Sequence, residues 1–259
     1  MSEKFSGINR KERLRLAESI LVERLERKYP GQVLLAGIVG SAARGTDTPF
    51  SDLDMIVITK NESRIRSVHF LYRKTAAGFR AFSQKKLGAF LTKSLPDWPF
   101  FMGILSSIRL LKGDPAQIET LLELGKSLPR EKFLRLLERE LPGMVFESFG
   151  RMLSSEIRND PRDLKCVVYE ILFEMRDTLC LLNQRWVTHD YYQGLEETFS
   201  FPLLPDGYKE LVPTLWGAQA IEEIVPLTSK LVSGFFKLLE GQKVKIKNIE
   251  NLEGLLCAI

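Results

Sequence analysis

Two apolar runs separated by a glycine-rich turn constrain the fold of this chain more than any other segment. The first run covers residues 32–39 and the second covers residues 53–59. Both are short and nearly continuous, which is typical of buried β-strands. The turn between them begins with Gly40-Ser41-Ala42-Ala43-Arg44-Gly45. The pattern therefore predicts a strand, a tight turn that can hold a phosphate, and a second strand.

Two carboxylates stand at the start of the second predicted strand. Asp52 and Asp54 are separated by one residue, and side chains alternate between the two faces of a strand. Both carboxylates are therefore expected to project from the same face. Neighbouring carboxylates repel each other unless a cation lies between them, and Mg²⁺ prefers such hard oxygen ligands. Beside a phosphate-holding turn, this pair favours chemistry on a nucleoside triphosphate.

Composition places the chain among ordinary globular proteins. Its 259 residues suffice for one large or two small domains, and its net charge is only +4. No apolar run approaches the ~20 residues that a membrane span needs. Residues 1–10 lack the apolar core of a secretory signal, so we expect a cytoplasmic protein. Because the chain has only two histidines, any metal is expected to be held mainly by carboxylates.

The first half of the chain mixes helix and strand patterns. Apolar residues at helical spacing predict helices over residues 11–28 and 85–95. Two further strands are predicted at residues 69–72 and 79–82, with the turn between them at residues 74–78. We therefore predict an α/β (α+β) fold for this half, a small mixed sheet with flanking helices.

The second half is predicted to be helical. After Ser127-Leu128-Pro129 the apolar spacing is helical nearly to the end, and prolines mark helix starts or loops. The predicted helices cover residues 131–141, 143–158, 162–183, 190–197, 208–216 and 218–239. The chain is thus predicted to contain two domains, residues 1–127 and an all-helical bundle of residues 128–259.

Gly40-Ser41 followed by Asp52-Leu53-Asp54 resembles the signature of the nucleotidyltransferase superfamily. Together with the N-terminal helix and Asp97-Trp98-Pro99, the motif is similar in order and spacing to the aminoglycoside (kanamycin) nucleotidyltransferases. The resemblance implies the nucleotidyltransferase fold for residues 1–127. It implies that Gly40 and Ser41 contact the triphosphate, and that Asp52 and Asp54 are catalytic carboxylates that bind Mg²⁺. It also implies a nucleoside triphosphate substrate, with ATP favoured, and a homodimer.

The same resemblance supplies further candidate site residues. Arg44 and Ser51 lie within the motif and are expected to contact the nucleotide. The segment Val145-Phe146-Glu147-Ser148-Phe149-Gly150-Arg151 matches the part of the family that carries the general base. It implies that Glu147 is the catalytic base and that Arg151 is a phosphate contact.

One carboxylate of the family pattern is missing. The family usually supplies a third acid from a later strand, and Gly78 occupies the aligned position. No aspartate or glutamate occurs between Glu62 and Asp97. The missing acid bears on metal affinity and acceptor activation, although a single well-placed carboxylate such as Glu147 suffices for general-base catalysis. A nucleotide-binding module without catalysis therefore stays open as an alternative.

The stretch between Lys60 and Pro96 is strongly basic, with Glu62 as its only acid. Its cations are Lys60, Arg64, Arg66, Arg73, Lys74, Arg80, Lys85, Lys86 and Lys93. Such a stretch is either a solvated surface or a field that attracts an anionic partner. Like charges that meet in a partly desolvated pocket repel, so a polycationic aminoglycoside is not the expected acceptor. A small-molecule hydroxyl is favoured, and a protein or nucleic-acid acceptor is the alternative.

Overall fold

The structure, a computed structural model, describes residues 7–246 and residue 248. The start of the N-terminal segment and the end of the predicted helical domain lie outside that part. The chain divides into two compact units, Met1–Leu128 and Pro129–Ile259. Within the described residues, no helix combines the length and the apolar character that crossing a membrane requires.

A five-stranded mixed sheet forms the centre of the first unit. Its strands are β1 (Val33–Ile38), β2 (Leu53–Thr59), β3 (Val68–Tyr72), β4 (Thr75–Ser83) and β5 (Arg109–Lys112). Their order across the sheet is β3-β4-β2-β1-β5. Strands β2 and β4 are parallel, and the other neighbouring pairs are antiparallel. The predicted class, a small mixed sheet with helices, is confirmed.

Helices cover both faces of this sheet. They are α1 (Arg10–Glu18), a π-helical segment (Ser19–Arg24), α2 (Leu25–Lys28), α3 (Gly40–Arg44), α4 (Gln84–Thr92), α5 (Trp98–Ser106) and α6 (Pro115–Lys126). On one face, Met55 and Phe79 belong to an apolar cluster shared with the helix that precedes β1. On the other face, Phe82 meets the rings of Phe90 and Phe101 edge to face. The start of β2 on this second face is left open to solvent.

Among the residues described in the second unit, all regular structure is helical, as predicted. Its helices are α7 (Arg130–Glu140), α8 (Val145–Ile157), α9 (Pro161–Asn183), α10 (Tyr191–Thr198), α11 (Tyr208–Gly217) and α12 (Ile221–Gly241), with a 3₁₀ turn at Leu141–Gly143. Helix α9 is the long central element and packs against α7, α8 and α10. Its buried apolar side chains, such as Ile171 and Met175, form the core of this unit.

The hairpin of β3 and β4 differs from the prediction. The turn predicted at residues 74–78 is wrong, because β4 already begins at Thr75. The turn consists of Arg73 and Lys74 alone, with φ values of 45° and 65°, as two-residue hairpin turns of type I′ require. The sequence lacks the Asn-Gly or Asp-Gly pair that usually marks such a turn, and Ala76-Ala77-Gly78 has low strand propensity. Pairing with β2 and β3 overrides that weak propensity.

Candidate active site

The glycine turn brings α3 against the second strand of the motif. The Val39 N–H donates to the Asp54 carbonyl oxygen at 2.9 Å, and Gly40 adopts a φ of +68°. A Cβ at Gly40 would lie 3.7 Å from Asp54 Oδ2, in ordinary van der Waals contact. Glycine is favoured there because the backbone is left-handed. The first residues of α3, including Ser41, therefore stand next to the acidic pair.

The two aspartates occupy the places that strand alternation predicts. Asp52 and Asp54 are both exposed, whereas the side chain of Leu53 between them is fully buried. Within the described residues, no group of three or more histidine, cysteine, aspartate or glutamate side chains is placed to hold a metal. Asp52 and Asp54 provide two carboxylates on one face of the strand. Mg²⁺ commonly binds through one or two carboxylates together with substrate phosphates. The donor set of this chain therefore fits Mg²⁺ bound with a triphosphate.

A buried arginine holds the loop between the two halves of the motif. The Arg13 guanidinium donates to Asp47 Oδ2 at 3.1 Å, to the Ser51 carbonyl at 3.3 Å and to the Thr48 carbonyl. The side chains of Arg13 and Asp47 are 1% and 0% exposed. The Ser51 hydroxyl in turn accepts the Thr48 N–H at 2.9 Å. Ser51, a predicted nucleotide contact, thus braces the loop that delivers Asp52.

Gly78 lies at the centre of a row of residues that crosses three strands. It pairs with Asp54 on β2 and with His69 on β3. A Cβ at Gly78 would lie 2.6 Å from His69 Nδ1 and 2.8 Å from the Val68 carbonyl oxygen. The close approach of β3 and the imidazole above Gly78 therefore fill the space in which a third carboxylate would stand.

A cavity of about 360 Å³ opens beside this row. It is lined by Asp52, Asp54, His69, Phe70, Leu71, Ala76 and Ala77. Its volume lies at the small end of the range of small-molecule sites. His69 was not among the predicted site residues. The misplaced hairpin turn hid its pairing with Gly78, and a two-residue turn at Arg73-Lys74 gives that register directly.

Replacement of Gly78 by alanine is expected to lower the free energy of unfolding by about 1–3 kcal/mol, as overpacking does. The added methyl group would meet the imidazole of His69 and the backbone of β3. Gly88→Ala is the matched control, because a Cβ at Gly88 on α4 meets nothing within 4 Å. That control is expected to gain about 0.5–1 kcal/mol. Denaturant unfolding of both variants measures the difference, and equal stabilities would contradict the close packing at Gly78.

The predicted general base lies in the second unit, in the first turn of α8. Glu147 accepts from the guanidinium of Arg151, one helical turn later, and Arg151 also donates to Glu170 at 2.9 Å. The hydrogen bond with Glu170, followed by the charges of Glu147 and Glu170, raises the pKa of Arg151. The guanidinium thus stays charged and orients both carboxylates. Glu170 on α9, which was not predicted as a site residue, thus shares the guanidinium of Arg151 with the predicted base.

A further carboxylate lies close to this cluster. Partial burial raises the pKa of Glu174, which lies on α9. The nearby Ser148 hydroxyl opposes that rise, whereas the negative charge of Glu170 adds to it. Burial disfavours an ionised carboxylate, so Glu174 keeps its proton to higher pH than an ordinary glutamate. The helical unit therefore holds carboxylates in two different environments beside Arg151.

The basic stretch between Lys60 and Pro96 spreads over several elements. Arg73 and Lys74 form the hairpin turn, and Arg80 lies on β4 with its guanidinium 5.1 Å from the centre of the Phe100 ring. Lys86 on α4 lies 5.8 Å from the Phe90 ring. These cations pack partly on aromatic rings, where cation–π attraction holds their side chains. The β3–β4 hairpin, residues 68–83, carries no acidic side chain.

Comparison with known proteins identifies a domain family and relatives that this chain resembles. Residues 18–94 match the family described as "Nucleotidyltransferase domain". Two relatives, an "Aminoglycoside nucleotidyltransferase (4′)" from a Bacillus species and one from Staphylococcus aureus, are each 22% identical over 218 residues. Each alignment covers 82% of this chain and 83% of the relative.

A solved structure shares the fold. It is the crystal structure of a nucleotidyltransferase-like protein from Exiguobacterium sibiricum, with a TM-score of 0.50 and 13% sequence identity. The match covers 88% of this chain and 75% of that protein. The glycine–serine turn beside a same-face aspartate pair, the domain matched over residues 18–94 and the aminoglycoside nucleotidyltransferase relatives lead to one conclusion: this protein is a nucleotidyltransferase enzyme.

Proposed function

We propose that this enzyme transfers a nucleoside monophosphate, with AMP favoured, from the triphosphate to a hydroxyl of a small molecule that is not polycationic. One observation carries the proposal. Gly40 passes within van der Waals reach of the Asp54 carboxylate, and both Asp52 and Asp54 are exposed at a cavity of about 360 Å³. A phosphate-holding turn, a cation-binding pair and space for an acceptor therefore meet at one place.

In this proposal the turn binds the triphosphate. Gly40 and Ser41 hold the β- and γ-phosphates through backbone N–H groups and the serine hydroxyl. Arg44, in the last turn of α3, pairs with a phosphate oxygen, as arginine does well. Ser51 acts by bracing the loop before Asp52, since its hydroxyl accepts the Thr48 N–H. Arg151 provides a further phosphate contact while it orients Glu147.

Asp52 and Asp54 would hold Mg²⁺, which when bound neutralises charge on the phosphates and favours pyrophosphate as a leaving group. The acceptor oxygen attacks the α-phosphorus in line as the bond to pyrophosphate breaks. The Glu147 carboxylate takes the proton of that hydroxyl. The products are the nucleotidylated acceptor and pyrophosphate. A homodimer, implied by the resemblance to the family, is part of the proposal.

The charge of the hairpin beside the cavity supports the choice of acceptor. The relatives named above act on aminoglycosides, by their names. The acidic side chains that line the cavity are Asp52 and Asp54, the pair proposed to hold the metal, whereas the hairpin around it carries Arg73, Lys74 and Arg80 and no acid. A polycation that approaches over the hairpin would meet these like charges, which disfavours its binding. A neutral or anionic hydroxyl compound meets no such barrier.

Calorimetric titration of the wild-type protein with Mg-ATP and Mg-GTP tests the proposal first. We expect binding that disappears when EDTA removes the metal, with ATP bound more tightly than GTP. Pyrophosphate release in the presence of small hydroxylated acceptors then identifies the reaction. Metal-dependent binding without pyrophosphate release from any acceptor would favour the non-catalytic module. Salt-sensitive binding of a polyanion that neutralisation of Arg73 and Lys74 weakens would favour the polymer acceptor.

A further inference from the structure

The register of three strands sets two facing walls on the open face of the sheet. Residues paired across neighbouring strands share a face. One row runs from Asp54 through Gly78 to His69, and the adjacent pair on the hairpin is Ala76 with Leu71. The carboxylates stand on β2, and His69 and Leu71 stand on β3. Between them, β4 contributes only a glycine and an alanine.

Because Gly78 and Ala76 of β4 are small, the side chains of β2 and β3 form the two walls of a trough above β4. The imidazole of His69 lies directly above Gly78, since a Cβ there would be 2.6 Å from its Nδ1. Asp54, on the opposite wall, lies beside Gly40 of the phosphate-binding turn. The triphosphate side and the His69 side are therefore opposite edges of one cavity. An acceptor that reaches the α-phosphate from the free side lies along β3.

The wall formed by β3 has a definite chemistry. An imidazole offers hydrogen bonds and carries no negative charge in either protonation state. Leu71 is 78% exposed and presents an apolar surface next to it. The charged side chains of the remaining hairpin are Arg73, Lys74 and Arg80, all cationic. No side chain on this wall carries a negative charge that would attract a cation. An acceptor with a hydroxyl next to an apolar group would hydrogen-bond to His69 and pack against Leu71.

We propose that His69 contacts the acceptor and selects a hydroxylated small molecule without positive charge. This inference rests on the proposed function, because it assigns the acceptor side of the same site. His69 hydrogen-bonds an acceptor hydroxyl across the trough from Asp52 and Asp54. Because a glutamate at residue 69 would place a negative charge on the β3 wall, we expect substitution of His69 to reverse the selectivity against a polycation.

The test uses kanamycin, a polycationic aminoglycoside, as the probe. Its dissociation constant is measured calorimetrically with Mg-AMPCPP present, for the wild type, His69→Glu and His69→Gln. We expect the wild type and His69→Gln to bind kanamycin equally weakly. His69→Glu is expected to bind it at least about tenfold more tightly, because one added charge pair near the protein surface is worth that much or more. Equal affinities of the glutamate and glutamine variants would overturn the proposal.

The variant Val68→Glu tests whether the gain in kanamycin affinity requires the negative charge at residue 69 or follows from any negative charge added to β3. Val68 is the neighbouring residue on β3 and is 41% exposed, so it adds the same charge on the other face of the strand. A gain in kanamycin affinity as large as that of His69→Glu would also overturn the proposal. The wild-type titration with Mg-ATP distinguishes a failure of the proposed function from a failure of the proposed role of His69. Absence of nucleotide binding would refute the proposed function, whereas nucleotide binding without the charge-dependent gain at residue 69 would refute only the role of His69.

Discussion

Replacement of Asp54 by asparagine is expected to abolish metal-dependent nucleotide binding and turnover. The substitution keeps the size of the side chain and removes half of the negative charge of the aspartate pair. Asp54 is the member of the pair next to Gly40, so in the proposed site it would stand between the metal and the turn that binds the triphosphate. Loss of an outer-shell partner already costs roughly 10–100-fold in metal affinity or activity, and loss of a direct ligand is expected to cost more. Calorimetry with Mg-ATP and a pyrophosphate-release assay measure the two effects.

Two comparison variants sharpen this result. Glu62→Gln removes an exposed carboxylate of the same unit outside the cavity and is expected to behave as the wild type. Glu147→Gln is expected to retain Mg-ATP binding and to lose pyrophosphate release, because it removes only the proton acceptor. An Asp54→Asn protein that still turns over in the presence of metal would refute the proposed metal site. Loss of Mg-ATP binding in Glu147→Gln would refute its assignment as a base alone.

Replacement of Arg13 by methionine is expected to lower the free energy of unfolding by about 3–5 kcal/mol, the cost of breaking a buried ion pair from one side. Methionine fills a similar volume but removes the guanidinium that hydrogen-bonds the buried Asp47 carboxylate, which keeps only its longer ion pair with Arg10 at 3.6 Å. The same guanidinium holds the carbonyls of Thr48 and Ser51. The folded variant is therefore also expected to bind Mg-ATP more weakly. Denaturant unfolding and calorimetry measure these two consequences.

Arg15→Met is the matched control for this variant, since Arg15 lies on the same helix and is exposed. It is expected to change stability by less than about 0.5 kcal/mol, as surface substitutions do. The double variant Arg13→Met/Asp47→Asn is expected to recover part of the loss, because the buried carboxylate is then replaced by a neutral amide. If Arg13→Met were as stable as Arg15→Met, the buried pair would contribute no net stability.

The elements around the motif were predictable because their signals are local. Strand β2 follows the predicted bounds, residues 53–59, since an apolar run with two exposed aspartates at its start permits few alternatives. The exposure of Asp52 and Asp54 around buried Leu53 follows from strand alternation alone. The helices of the second unit were found for the same reason, from apolar residues at helical spacing.

The elements that were missed depend on contacts distant in sequence. Ala76-Ala77-Gly78 has little preference for a strand, and its extended form is fixed by hydrogen bonds to β2 and β3. The place of His69 depends on that register, so its position above Gly78 could not follow from spacing. The burial of Arg13 was likewise hidden, since a charged residue on an amphipathic helix is normally exposed. Its partner, Asp47, is brought to it by the glycine turn.

The position of β3 at the edge of the sheet affects how an enzyme of this kind can change over time. An edge strand has one neighbour, so substitutions along it disturb fewer contacts than substitutions on β2 would. The groups proposed to bind the nucleotide and its metal lie on or next to β2 and at the start of α3, whereas His69 and Leu71 lie on the edge strand β3. A lineage can therefore exchange one acceptor for another by mutating its outermost strand while the inherited phosphate chemistry is preserved.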